Sequence, residues 1–138
     1  MKIGFICTGN SARSQMAEGY ARHFAKLYKK DVEIYSAGLN PADRVNPLAI
    51  LVMQEDGIDI SSHYPKSIEE IPYGELDTVI TLCGDAAETC PVVVGARKEH
   101  WGLPDPAKAE GSYEEKLEFF RRVRDEIKVR VEKLIKEI

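Results

Sequence analysis

Apolar residues along this chain follow two rhythms. Short runs at 2–7 (KIGFIC), 32–37 (VEIYSA) and 77–83 (DTVITLC) are rich in β-branched or aromatic residues, and a polar residue or glycine stops each one. Such continuous runs predict strands buried on both faces. A shorter strand is expected at 99–103 (EHWGL). Between the runs the spacing becomes helical. Met16, Tyr20, Phe24 and Leu27 fall on one face after Ser14. Leu48, Leu51 and Val52 follow Asn46-Pro47, which reads as an asparagine cap with proline at the first helical position. Leu117, Phe120, Ile127, Val131, Leu134 and Ile138 form one stripe in a highly charged stretch, which predicts a long amphipathic helix with a solvated opposite side. Strands alternating with helices imply right-handed crossovers and a small parallel sheet covered on both faces, an α/β fold. Ligands of such sheets bind at the carboxyl ends of strands. CTGNSAR, after the first run, and TLC, closing the third, occupy such ends.

Composition narrows the picture. The 138 residues are 43% hydrophobic and 30% charged, with no repeat or low-complexity stretch, so residues 1–138 are expected to form one domain. A net charge of −4 argues against a nucleic-acid or anionic-membrane surface, so an anionic ligand would have to be captured locally. No apolar stretch approaches the length of a bilayer span, and MKIGFICTGN is too short in its apolar run for a signal peptide. The expected compartment is the cytoplasm, where thiols stay reduced. Three cysteines make an odd count, which disfavours a purely structural disulfide framework.

The segment from Cys7 to Ser14, CTGNSARS, carries the strongest chemical signal. A loop entering a helix presents unpaired N–H groups, and the helix dipole there favours an anion. Gly9 and Asn10 tolerate the positive φ of a tight cradle. Arg13 adds a permanent cation whose planar fork matches a tetrahedral oxyanion. A cysteine sharing that field is expected to stay ionised at neutral pH, as a nucleophile. Ser14, and also Ser11, can donate to the thiolate or hold the loop. The spacing of Cys7 and Arg13 alone is common by chance; the preceding strand, the following helix and the Gly-Asn pair give it meaning.

Two downstream features are more open. Asp105 stands between Pro104 and Pro106, a stiffened loop presenting one carboxyl. Read by itself it is a solvated turn residue; near the loop it could serve as a general acid. Cys83 and Cys90 lack the close pairing of a zinc site, even with Cys7 and His100 counted. They are either idle core thiols or partners of Cys7 in a thiol relay. His23, His63 and His100 are scattered and read as surface or packing residues, and Trp101 as core beside the acid loop.

ICTGNSARSQMAEG resembles the phosphate-binding loop and first helix of the low-molecular-weight protein tyrosine phosphatase superfamily. YSAG, NPLAI, DISSH, DTVITLCGDAAETCP, HWGLPDPA and FRRVRDEI extend the likeness, in order, toward its thioredoxin-coupled arsenate reductases. The resemblance implies a three-layer, flavodoxin-like sandwich around a four-stranded parallel sheet. It implies that Cys7 is the nucleophile, Arg13 the oxyanion clamp and Asp105 the general acid. Thr8, Gly9, Asn10, Ser11, Ala12, Arg13 and Ser14 would form the oxyanion site, with phosphate or sulfate as competitors of arsenate. It also implies an order for the relay. Cys7 attacks arsenate, Cys83 attacks Cys7 with release of arsenite, and Cys90 takes over to leave a Cys83–Cys90 disulfide. Thioredoxin or a similar thiol donor then reduces that bond, and no tightly bound cofactor is expected.

Three departures bear on these expectations. Many relatives have a further cysteine where this chain has Ala12, so only the three relay cysteines remain. Some bind potassium near the loop; Asn10, Glu18 and Ser36 match that set, but Lys66 replaces its aspartate, so no bound cation is expected. Ala107 and Lys108 follow Asp105-Pro106, where phosphatases commonly place aromatic residues. A tyrosine phosphatase acting through a phospho-Cys7 intermediate is the alternative activity, and a phosphocarrier the alternative outside catalysis. If residues 84–89 form a short helix, Cys83 and Cys90 stand roughly 10 Å apart at about 1.5 Å per residue. A disulfide needs Cα atoms within about 7 Å, so oxidation would have to unwind that segment.

Overall fold

The computed structural model describes residues 1–82 and 95–138. Cys83, Cys90 and the helix expected at 84–89 lie outside the described residues.

The four described strands are β1 (Lys2–Cys7), β2 (Glu33–Gly38), β3 (Thr78–Thr81) and β4 (Arg97–His100), all parallel in the order β2-β1-β3-β4. β1 is central, with Cys7 opposite Gly38 on one side and Ile6 opposite Thr81 on the other. Every residue from Ile3 to Cys7 is buried, so both faces of the sheet are covered. The α/β fold with a four-stranded parallel sheet is thus the one expected.

Among the described residues, helices α1 (Arg13–Leu27), α2 (Pro47–Glu55) and α3 (Tyr113–Lys136) flank the sheet. α1 packs on β1, β2 and α3, and α2 packs on α3. Asn46 caps α2 by accepting from the Leu48 N–H at 2.9 Å, with Pro47 in the first turn. α3 opens on a capping box in which Ser112 and Glu115 satisfy each other's backbone N–H, both at 3.2 Å. Its stripe Leu117, Phe120, Ile127, Val131 and Leu134 is buried, with Val123 and Ile135 added, while Ile138 lies beyond the helix and is half-buried. The charged side of α3 does more than meet solvent. Arg121 and Arg124 both grip Glu55 at the end of α2, at 2.7 and 3.0 Å.

Two boundaries differ from the expected ones. Leu27 is exposed; after Phe24 the apolar stripe passes to the half-buried Tyr28 at the helix cap, whose ring stacks on Phe24 at 6.0 Å. The fourth strand is 97–100, earlier than 99–103. Its residues are polar and mostly exposed, as suits a sheet edge, so no apolar run marks it. Trp101 still bonds by its N–H to Thr81 O at 2.7 Å, but its ring turns into the core, 6.0 Å from Phe5.

Candidate active site

β1 delivers Cys7 to the carboxyl end of the central strand, and six residues later α1 begins. Ala12 occupies the cap position of α1 with no side-chain hydrogen bond to the first turn, which also holds no acidic residue. The helix thus opens on N–H groups that no capping side chain covers, directed at an anion site. Of the Gly-Asn pair only Asn10 takes the expected left-handed conformation, with φ 49°; Gly9 does not use its freedom at φ.

The Cys7 thiol is buried between two donors. Its Sγ lies 2.8 Å from Ser14 Oγ, and the Asn10 N–H points at it from 3.2 Å. Asn10 Nδ2 donates to Ser14 Oγ at 2.7 Å and to Ser36 Oγ at 3.0 Å. Ser36 in turn donates to Glu18. Asn10 Nδ2 occupies one lone pair of Ser14 Oγ, and the hydroxyl proton is free to serve a Cys7 thiolate. Ser11 takes the second of its two expected roles: its hydroxyl reaches Arg44 O at 3.2 Å and holds the loop. Thr8, Gly9 and Ala12 contribute backbone, and Ala12 is buried.

Arg13 links this loop to the acid loop. Its Nη1 donates to Leu103 O at 2.9 Å, and its Nη2 stands 3.8 Å from Asp105 Oδ2. Asp105 is divided in labour: Oδ1 accepts from the Ala107 N–H at 3.0 Å and caps a short 3-10 turn, which leaves Oδ2 on the Arg13 side. Arg13, six residues after Cys7, and Asp105, 92 residues further on, are thus brought together at the loop's helix end. Leu82, the last described residue before Cys83, bonds by its N–H to Ile6 O at 2.9 Å, next to Cys7.

Behind the loop stands a supporting layer, in which Gln15 and His63 take roles not assigned from the sequence. Gln15 donates to Asn10 Oδ1 at 2.9 Å, to Asn10 O at 3.1 Å and to Tyr64 O at 3.0 Å, while its Oε1 meets His63 Nδ1 at 3.0 Å. His63, read as packing, is thus a member of the site's hydrogen-bond network, and burial lowers its pKa against the opposing pull of Glu18. A glutamine at the third position of a helix that follows a cysteine loop is the signal that could have found it. Glu18, almost fully buried, is surrounded by cations: Arg22 Nε at 2.9 Å and Lys66 Nζ at 3.9 Å. Lys66 also bonds Asn10 Oδ1 through its backbone N–H at 2.9 Å. With Glu18 already met by two cationic side chains, the Asn10, Glu18 and Ser36 set does not fit a further metal ion. Among the described residues, no group of three or more His, Cys, Asp or Glu could hold a metal. His100 bonds Thr81 Oγ1 at 2.8 Å through Nδ1, and His23 packs edge-on to Phe24.

Known proteins fit this geometry. The pattern of the family described as low molecular weight phosphotyrosine protein phosphatase matches residues 2–138. The chain is 51% identical to an arsenate reductase of Bacillus licheniformis over 132 residues, 95% of this chain and 92% of that one. Its fold superposes on an arsenate reductase in the phosphate binding state with a TM-score of 0.84 at 40% identity, covering 99% of this chain and 98% of that one. It also superposes on a thioredoxin-dependent arsenate reductase of Corynebacterium glutamicum, with a TM-score of 0.74 at 32% identity over 99% of this chain and 60% of that one.

Proposed function

The chain belongs to the low molecular weight phosphotyrosine protein phosphatase family, and from that premise we propose that it is a thioredoxin-coupled arsenate reductase, its residues 1–138 acting as one domain. The observation that carries the chemistry is the Cys7 sulfur, held between Ser14 Oγ and the Asn10 N–H at the uncapped start of α1. Such a sulfur is a nucleophile facing an oxyanion site. The 51% identity to a protein named arsenate reductase supports the choice of oxyanion.

Arsenate enters against the N–H groups of residues 8–14, where Arg13 turns its fork to the oxygens. The Cys7 thiolate attacks arsenic, and Asp105 supplies the proton with which one oxygen leaves as water. Cys83 then attacks the Cys7 sulfur. The electron pair of the sulfur–arsenic bond stays with arsenic, so As(V) becomes As(III) and arsenite departs, leaving a Cys7–Cys83 disulfide. Cys90 attacks Cys83, frees Cys7 as a thiolate and leaves a Cys83–Cys90 disulfide. A dithiol donor, thioredoxin by this reading, reduces that bond. Leu82, the residue before Cys83 in sequence, bonds Ile6, the residue before Cys7, which supports the relay. The relay requires a reducing compartment, the cytoplasm; among the described residues no helix is long and apolar enough to cross a membrane. No step uses a metal, and Lys66 fills the cationic role beside Glu18.

The second reading is a phosphatase, for which the family and the shared Cys7, Arg13 and Asp105 speak. It needs water in place of Cys83 and no use for Cys90. Arsenite production from arsenate with thioredoxin, its reductase and NADPH decides between them. Turnover there supports the reductase; none, together with rapid phosphotyrosine hydrolysis, establishes the phosphatase.

A further inference from the structure

The segment after β2 runs along the outside of the Cys7 loop, and its hydrogen bonds form a pattern. The N–H groups of Leu39, Asn40, Ala42 and Asn46 donate to the carbonyls of Cys7, Thr8, Gly9 and Ser11 at 3.2, 2.8, 2.9 and 2.8 Å. The one carbonyl this series skips, that of Asn10, accepts from Gln15 Nε2 at 3.1 Å. Each carbonyl from Cys7 to Ser11 is therefore engaged. A trans peptide unit is planar, with its C=O and N–H pointing in opposite senses. Fixing those carbonyls on the outer side turns the N–H groups of residues 8–12 the other way. The Gly9–Asn10 unit shows the result directly: its oxygen is on Ala42 N, and its N–H is on Cys7 Sγ at 3.2 Å.

That unit is also the one most prone to turn over. Gly9 sets no steric barrier, and Asn10 already has a positive φ and accepts either hand. A flip would aim a carbonyl dipole at the sulfur and at any bound oxyanion. We propose that residues 38–46 are a positioning strap for the oxyanion cradle, and that the Ala42 N–H, by holding Gly9 O, keeps the Asn10 N–H on Cys7. Gly38 lets the strap lie this close. A Cβ there would stand 2.7 Å from Thr8 O and 2.9 Å from Asn10 N, both backbone atoms that cannot yield. The strap is anchored in turn by Gly38 N on Lys66 O at 2.7 Å and by Ser11 Oγ on Arg44 O. Ala42 itself is exposed, so its contribution to the site is its N–H.

This inference rests on Cys7 being the nucleophile, and its test separates the two claims. Ala42→Pro deletes one N–H from an exposed position. Its Cys7 should react with iodoacetamide about tenfold more slowly than wild type near pH 6, yet at the same rate near pH 9.5. Phosphate should protect it about tenfold less well, the worth of one hydrogen bond to an ionised acceptor. Ala42→Ser keeps the N–H and should retain the wild-type profile. Gly38→Ala, monitored by circular dichroism alongside, should reproduce the Ala42→Pro profile in a folded protein and serves if the proline variant does not fold. A fast wild-type reaction near pH 6 that both Ala42→Pro and Gly38→Ala preserve overturns the strap. A wild-type Cys7 no faster than a peptide thiol overturns the nucleophile, and the strap with it.

Discussion

Cys7 Sγ and Ser14 Oγ lie 2.8 Å apart, closing the two ends of the loop on each other. Ser14 Oγ also accepts from Asn10 Nδ2, and when Cys7 is a thiolate, which can only accept, the serine proton is the one that serves it. Ser14→Ala removes that donor while leaving the Asn10 N–H in place. Alkylation of Cys7 by iodoacetamide near pH 6 should slow by about tenfold, the worth of a hydrogen bond to an ionised acceptor. Arsenite formation should slow in parallel. Peptide mapping of the alkylated protein measures the first, and an unchanged rate would show that the backbone donor suffices.

Asp105 presents one oxygen to its own turn and the other to Arg13. Asp105→Asn keeps an acceptor for the Ala107 N–H but carries no acidic proton. Phosphate affinity, measured by calorimetry, should stay within a few-fold of wild type, whereas single-turnover arsenite release should fall by about 10²–10⁴. Arg13→Lys should show the reverse emphasis. Lysine keeps the charge but lacks the fork that serves both Leu103 O and an oxyanion, so binding should weaken by at least about tenfold. Equal losses of affinity in both variants would contradict this division of roles.

Cys90→Ser isolates the last exchange of the relay. One equivalent of arsenite should appear per protein and then stop, with a Cys7–Cys83 disulfide detectable by mass spectrometry of the digested protein. Steady thioredoxin-linked turnover by this variant would rule out the proposed order.

His63 gives stability a pH dependence of known sign. Burial lowers its pKa in the folded protein below the ordinary 6.5, with Glu18 pulling the other way and Lys66 and Arg22 adding to the lowering. As pH falls, the unfolded chain therefore takes up the proton first. The contribution is fully present above about pH 6.5 and is lost as pH falls through the folded value. His63→Gln, which stays neutral and can still donate to Gln15 Oε1, should flatten the fall in urea midpoint between about pH 7.5 and 5. An equal slope in both proteins would remove His63 as the source.

The elements legible in the sequence were those whose letters carry the cause. KIGFIC announces a central strand because every position after Lys2 is buried, and CTGNSARS announces an anion loop because thiol, small residues and arginine are local to it. Asn46-Pro47 marks the start of α2 for the same reason. β4 was misplaced because an edge strand of Arg97, Lys98, Glu99 and His100 is held by backbone pairing, which apolar patterning does not register. Leu27 was misread because Tyr28 takes its place in the stripe. The outer layer of the site was hidden more completely. Leu103, Ala42 and Gly38 act through a carbonyl, an N–H and a missing Cβ, none of which their side-chain chemistry announces. Gln15 matters through a neighbour 49 residues away in sequence, and Lys66, placed near the loop only by resemblance, through one 56 residues away.

The outward-held carbonyls also bear on portability. A short peptide or a graft carrying only CTGNSARS would bring the sulfur, the arginine and the amides, but not the four backbone donors of residues 39–46 or the glutamine that orient those amides. Freed of them, the loop would sample conformations with oxygens facing inward and would repel the ion it is meant to hold. The transferable unit is therefore a discontinuous pair, residues 7–15 with 38–46, and a designer who moves one without the other moves the letters and leaves the affinity behind.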